Sequence, residues 1–175
     1  MDGILAYVDQ HRDRFLQELY VLLRQPSISA QNQGVVECAE LLQRQMEDIG
    51  IPAKILPTAG HPVVFGELTS PGAARTVLIY GHYDVQPPDP LDLWKSPPFE
   101  PPIRNGRLYG RGTGDNKGQL FAHLKAVEAI LKVQKRLPVN VKFLFEGEEE
   151  VGSRNLRAFL EANRELFAAN CCLCA

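Results

Sequence analysis

Apolar and polar residues alternate along this chain in two rhythms that change over at turn signals. Val8, Phe15, Leu19, Leu22 and Leu23 recur at helical spacing and predict one helix over residues 4–24. It should close before Pro26, because a residue ahead of proline is pushed away from helical dihedrals. A second helix is expected over residues 35–49, with Gly50 as its stop and Pro52 just beyond. Short strands follow at 53–56 and 63–68. The run TVLIY at 76–80 is apolar without a break, as in a strand covered on both faces. A proline-rich loop over 86–102 leads into Asn105-Gly106, a hairpin signal between two short extended runs. Residues 117–136 predict a helix with Leu120, Leu124, Val127 and Leu131 on one face and Glu128–Lys132 as a surface pair. A buried strand at 139–145, a helix at 153–167 and a strand beginning within 171–175 complete the pattern. Alternating strands and helices imply an α/β fold, a largely parallel sheet with helices on both faces.

Composition narrows the class. The chain has 175 residues, 45% hydrophobic and 23% charged, which suits a soluble globular domain able to bury a core without disulfides. The net charge is −2 and no basic stripe interleaves with aromatics, so nucleic acid is not an expected partner. Asp2, Asp9, His11, Arg12 and Asp13 interrupt the N-terminal apolar positions, against a signal peptide. No run approaches the roughly 20 apolar residues of a membrane span, so no membrane partner is expected. Cys38, Cys171, Cys172 and Cys174 are therefore expected to be reduced, in a cytoplasmic protein. Successive strand residues face opposite ways, so Cys171 and Cys172 do not suit one metal, and burial in a core is expected for the three tail cysteines.

The chemistry gathers where strands end. His82 and Asp84 follow the TVLIY strand; Glu146, Glu148, Glu149 and Glu150 follow the 139–145 strand; Asp115 sits in a glycine loop ahead of a helix. Ligands in open α/β sheets bind beyond the carboxyl ends of strands, and an imidazole with several carboxylates suits a divalent metal. Two apart in an extended segment, His82 and Asp84 face one side, so one ring nitrogen can bind metal while Asp84 accepts the proton on the other. Glu149 and Glu150 diverge, which suits one carboxylate on metal and one as general base. Asp115 could bridge two metals. Singly, each has an ordinary reading: a loop histidine, a solvated acidic turn, an N-cap. Their joint placement after buried strands favours a site, because charge there is costly unless paired or metal-bound. GRGTGDNKG has neither the ending of a P-loop nor the third glycine of a dinucleotide fingerprint.

The segments GHYDVQP, LYGRGTGDNKG and EGEEEVGS, in that order, resemble metallopeptidase family twenty, which includes cytosolic dipeptidases and carnosinases, carboxypeptidase G, aminoacylase and acetylornithine deacetylase. HYDVQP, Trp94, Pro98-Phe99 and NGRLYGRG are most similar to the dipeptidase–carnosinase branch. The resemblance implies two zinc ions, with Mn2+ or Co2+ as alternatives. It makes His82 a ligand of one zinc, Asp115 the bridge and Glu150 a ligand of the other. Asp84 and Glu149 are implied to serve catalysis, the first by clamping the His82 ring and the second as general base. A cis peptide between Asp115 and Asn116 is implied too; Asn116 stands where many relatives have aspartate, at a position that is not a ligand. The implied substrate is a small peptide or an N-acyl amino acid, and the implied full-length enzyme is a homodimer. Residues 1–175 then correspond to part of the catalytic domain, with an aspartate ligand, a histidine ligand and a lid and dimerisation domain lying beyond. The expectation is a chain inactive alone. An N-acyl-amino-acid deacylase and a non-catalytic truncated relative are the rival readings. His11, His61 and His123 are expected to be structural or surface residues.

Overall fold

The computed structural model describes residues 1–174. The N-terminal periodicity resolves into two helices, α1 (Asp2–Gln10) and α2 (Arg12–Arg24), rather than one. The break falls at His11, at φ −105° and ψ 11°, whose N–H is shared between the Tyr7 and Val8 carbonyls at 3.1 and 3.2 Å; its ring Nδ1 also donates to the Tyr7 carbonyl at 2.8 Å and the ring stacks on Tyr7. α2 ends at Arg24, ahead of Pro26 as expected. α3 (Val35–Asp48) leads through Gly50, at φ +87°, into β1 (Ala53–Leu56), β2 (Val63–Leu68) and β3 (Thr76–His82). Asn105 and Gly106, both at positive φ, join β4 (Ile103–Arg104) to β5 (Arg107–Leu108), as the turn pair requires. α4 (Lys117–Gln134), β6 (Asn140–Glu146), α5 (Leu156–Ala162) and β7 (Cys171–Cys174) follow. α5 is shorter than the expected 153–167, because the Asn163 side chain donates to the Phe159 carbonyl at 2.8 Å and ends the ladder.

The sheet is mixed, which corrects the expectation of a largely parallel one. Its order is β1-β2-β6-β3-β7, with β3 parallel to β6 and β7, and β2 antiparallel to β6 and β1. Loop length explains it. Residues 57–62 and 69–75 are too short for parallel crossovers, which need a dozen or more residues. Helices cover both faces. Val64, Ile79, Phe143 and Phe145 pack with Leu22, Leu42, Met46, Leu120 and Leu124 of the α2, α3 and α4 layer. Val63, Phe65, Leu78 and Leu144 pack with Phe167 and the half-buried Phe159 and Leu160 of α5. No helix among the described residues is long and apolar enough to cross a membrane.

Two expectations about side chains fail. Cys171, Cys172 and Cys174 are exposed, not packed in a core, because β7 is the outermost strand and no described element covers its faces. Ala175 lies outside the described residues. Glu128 is not half of a surface pair with Lys132; it is 1% exposed and bonded by Arg14 (2.5 Å), Lys125 (2.9 Å) and the Tyr7 hydroxyl (3.2 Å). Burial pushes the Glu128 carboxyl up, but the Arg14 and Lys125 bonds outweigh it and hold the carboxyl below its ordinary value. A depressed folded pKa means the stabilisation is present above the unfolded carboxyl value and is lost as pH falls through the folded one. Glu128→Gln should therefore cost about 1–3 kcal/mol at neutral pH, with a smaller loss of stability than wild type on acidification, measured by urea denaturation at several acidic pH values.

Candidate metal centre

β3 and β6 run parallel and in register to their ends, where His82 pairs with Glu146. This puts the two motif-bearing loops side by side. His82 is 6% exposed. Its Nδ1 lies 3.3 Å from Asp84 Oδ1 and 3.1 Å from the Asp84 carbonyl. Its Nε2 lies 3.0 Å from Asp115 Oδ1 and 3.9 Å from Glu149 Oε2. Burial opposes the imidazolium, but the hydrogen bond and charge of Asp84, with Glu149 beyond, push the His82 pKa up to about 9.

Asp84 is fully buried and reaches past the ring. Its Oδ1 accepts the Glu149 N–H at 3.2 Å and its Oδ2 the Glu150 N–H at 3.1 Å. One carboxylate thus orients the imidazole and anchors the 3-10 turn Glu149–Val151. The same turn is closed across its base, where Ser153 Oγ donates to Glu146 Oε1 at 2.9 Å beside the Tyr80 hydroxyl. Burial raises the Glu146 pKa above the ordinary carboxylate value. The Glu150 carboxylate accepts from Gln86 Nε2 at 2.8 Å.

Asp115 arrives from the glycine loop through a cis peptide bond to Asn116, as expected, and is largely exposed. Asn116 does more than neighbour it: Asn116 Oδ1 accepts the buried His82 N–H at 3.1 Å, joining the start of α4 to the end of β3. Beneath them Lys117, fully buried, donates to the Leu22 and Gln25 carbonyls at the end of α2. Burial lowers its pKa.

His82, Asp115 and Glu150 each present a ligand atom, all within 4.8 Å of one another. Four carboxylates, Asp84, Asp115, Glu149 and Glu150, stand around one imidazole, which carries at most one positive charge. That excess of negative charge and the nitrogen-and-oxygen donor set fit a divalent cation. The other histidines stand apart. His11 marks the helix break, the His61 ring donates to the Ser29 carbonyl at 3.3 Å, and His123 lies along α4, where burial lowers its pKa. Reading the sequence for ligands missed Asn116 and Gln86 as supporting residues. Their closeness to Asp115 and Asp84 in the chain was the only available signal.

A family model described as Peptidase family M20/M25/M40 matches residues 78–174. Over 95% of its length the chain is 34% identical to a human Beta-Ala-His dipeptidase. Over 99% it is 32% identical to the Cys-Gly metallodipeptidase dug1 of Schizosaccharomyces pombe. Among solved structures, an M20 family metallo-carboxypeptidase from Sulfolobus solfataricus superposes with a TM-score of 0.88 and 45% identity, over 91% of this chain and 36% of that one. The chain spans 36% of the human dipeptidase and 40% of the yeast one.

Proposed function

This chain belongs to Peptidase family M20/M25/M40, and from that premise we propose that it carries most of the metal centre of a dipeptide-hydrolysing enzyme. The observation that carries the reading is the convergence of His82, Asp115 and Glu150 at the carboxyl ends of two parallel strands. Two zinc ions are the proposed metals, with Mn2+ or Co2+ as substitutes. His82 and Asp115 would hold one, and Asp115 and Glu150 the other. When bound, such metals supply Lewis acidity toward water and the substrate carbonyl.

The protein's own groups handle the proton. Asp84 holds the His82 Nδ1 proton, which leaves Nε2 free to ligate. Glu149, a half-exposed carboxylate near His82 Nε2, is placed to take a proton from attacking water and return it to the departing amine. The Gln86 bond restrains Glu150, whereas Glu149 has no such restraint on its carboxylate among the described residues. This difference supports ligand and base in that order.

Names of relatives favour peptide over N-acyl substrates: two are dipeptidases and one is a carboxypeptidase. The test is parallel hydrolysis of dipeptides and N-acetyl amino acids by an enzyme carrying these residues, before and after chelation and with zinc restored. Loss and recovery of dipeptide hydrolysis supports the proposal; preference for N-acetyl substrates would turn it to the deacylase reading.

Residues 1–175 alone should behave differently. On the proposed assignment they offer two side chains per metal, so water must fill several coordination positions. After dialysis this chain should retain well under one equivalent of zinc and hydrolyse no dipeptide. Near-stoichiometric zinc with turnover would show that ligands come from elsewhere, such as a second copy.

A further inference from the structure

Glu148, the middle residue of the acidic run, is 8% exposed and accepts three hydrogen bonds, all from neutral donors. Its Oε1 takes the His61 N–H at 3.1 Å and Asn155 Nδ2 at 3.1 Å, and its Oε2 takes Asn155 Nδ2 at 3.0 Å. No ion pair reaches it among the described residues, so these bonds alone compensate its buried charge. Its carbonyl also accepts the Val151 and Ser153 N–H groups, at 3.2 and 2.8 Å, which folds the turn carrying Glu149 and Glu150 around it.

The loop at 58–62 is itself held. Thr58 Oγ1 donates to the His61 carbonyl at 2.7 Å, and the Tyr83 hydroxyl donates to the Pro62 carbonyl at 2.6 Å. Tyr83 lies between His82 and Asp84 and is fully buried. Besides the Gln86 bonds to Glu150 and the backbone pairing of β3 with β6, two further bridges join the GHYDVQP and EGEEEVGS segments. One passes through the Asp84 carboxylate, and the other runs from Glu148 through His61 and Pro62 to Tyr83. Gly60 leaves the room this needs, since a Cβ there would run into Glu148 Oε1 and Asn155 Nδ2.

We propose that Glu148 is a positioning residue for the metal centre: tied to the 58–62 loop and to Asn155, its carboxylate fixes the turn that presents Glu149 and Glu150. The inference rests on the metal-centre reading above. It assigns Glu148 no contact with metal or substrate.

The experiment compares the wild-type chain with Glu148→Ala, Glu148→Gln and Gly60→Ala, by amide hydrogen exchange without metal and by Co2+ titration. In Glu148→Ala, exchange over residues 147–153 should rise about tenfold while α4 and the centre of β6 stay unchanged. Co2+ affinity should fall about tenfold, the lower end of the range for residues that orient ligands. Glu148→Gln keeps an oxygen for His61 and Asn155, and should stay within about threefold of wild type. Gly60→Ala should reproduce the local rise in exchange from the other side of the contact. Unchanged exchange and affinity in Glu148→Ala would overturn the proposal. So would exchange that rises throughout the chain, or a local rise with no loss of affinity. If the wild-type chain binds Co2+ too weakly to measure, the affinity comparison is made in an enzyme that carries these residues together with the remaining ligands; absence of binding there would defeat the metal-centre reading, and exchange alone then decides whether Glu148 orders the turn.

Discussion

Glu149→Gln, in an enzyme that carries this turn, should keep its metal and lose turnover by about a hundred- to ten-thousand-fold, the span of general acid–base catalysis. The amide is nearly the same size, and the backbone N–H of residue 149 still donates to Asp84 Oδ1, so the turn survives. What disappears is a base beside His82 Nε2. Glu150→Gln should act differently. The Glu150 carboxylate belongs to the cluster with His82 and Asp115 and is steadied by Gln86, so its loss should weaken metal binding first. Metal content by atomic absorption and kcat on a dipeptide separate the two. Equal loss of metal in both variants would mean that the roles are reversed or shared.

Asp84→Ala should do the widest damage, because that side chain serves three groups. The Glu149 and Glu150 N–H groups lose their acceptor, each at about 1–3 kcal/mol if it stays buried. The His82 ring loses the partner on Nδ1, which should weaken metal about 10- to 100-fold. Calorimetric titration with Zn2+ and urea denaturation of the same sample measure both losses. Without metal, a further signature is available. The His82 pKa is raised to about 9, so its stabilising contribution is present below the ordinary histidine value and is lost as pH rises from there through about 9. Asp84→Ala should flatten that slope and return the His82 titration, followed by NMR, toward its ordinary range. A variant with unchanged metal affinity would remove Asp84 from the metal centre and leave it a purely structural anchor.

Much of this is legible in the sequence. TVLIY announces a strand because a short unbroken apolar stretch suits a strand covered on both faces, and the 139–145 run, though Asn140 and Lys142 interrupt it, is short and rich in valine and phenylalanine, as strands are. His82, Asp84, Glu149 and Glu150 stand out because acids and imidazole cluster just after those strands, and Asp115 because it sits in a glycine loop ahead of a helix. Strand direction was partly encoded too, in the short stretches 57–62 and 69–75. The alternation of strands and helices suggests a largely parallel sheet, whereas connections that short hold their strands antiparallel, and the sheet is mixed.

What the sequence alone determined about this protein is local: the order and type of its elements, the asparagine-glycine turn, and the segments where its chemistry collects. Each follows from residues within a few positions of one another, through dihedral preference or the period of the hydrophobic pattern. Only the tertiary structure decided which side chains are partners across the chain. Arg14 reaches Glu128 from 114 residues away, which turned a presumed surface acid into a buried one. His61 reaches Glu148 across 87 residues, and Asp84 reaches Glu149 across 65. A buried carboxylate and a solvated one look the same in a sequence. The cost of desolvating charge is met by donors that packing brings together, so whether a carboxylate binds, braces or merely solvates is settled only when the chain has folded.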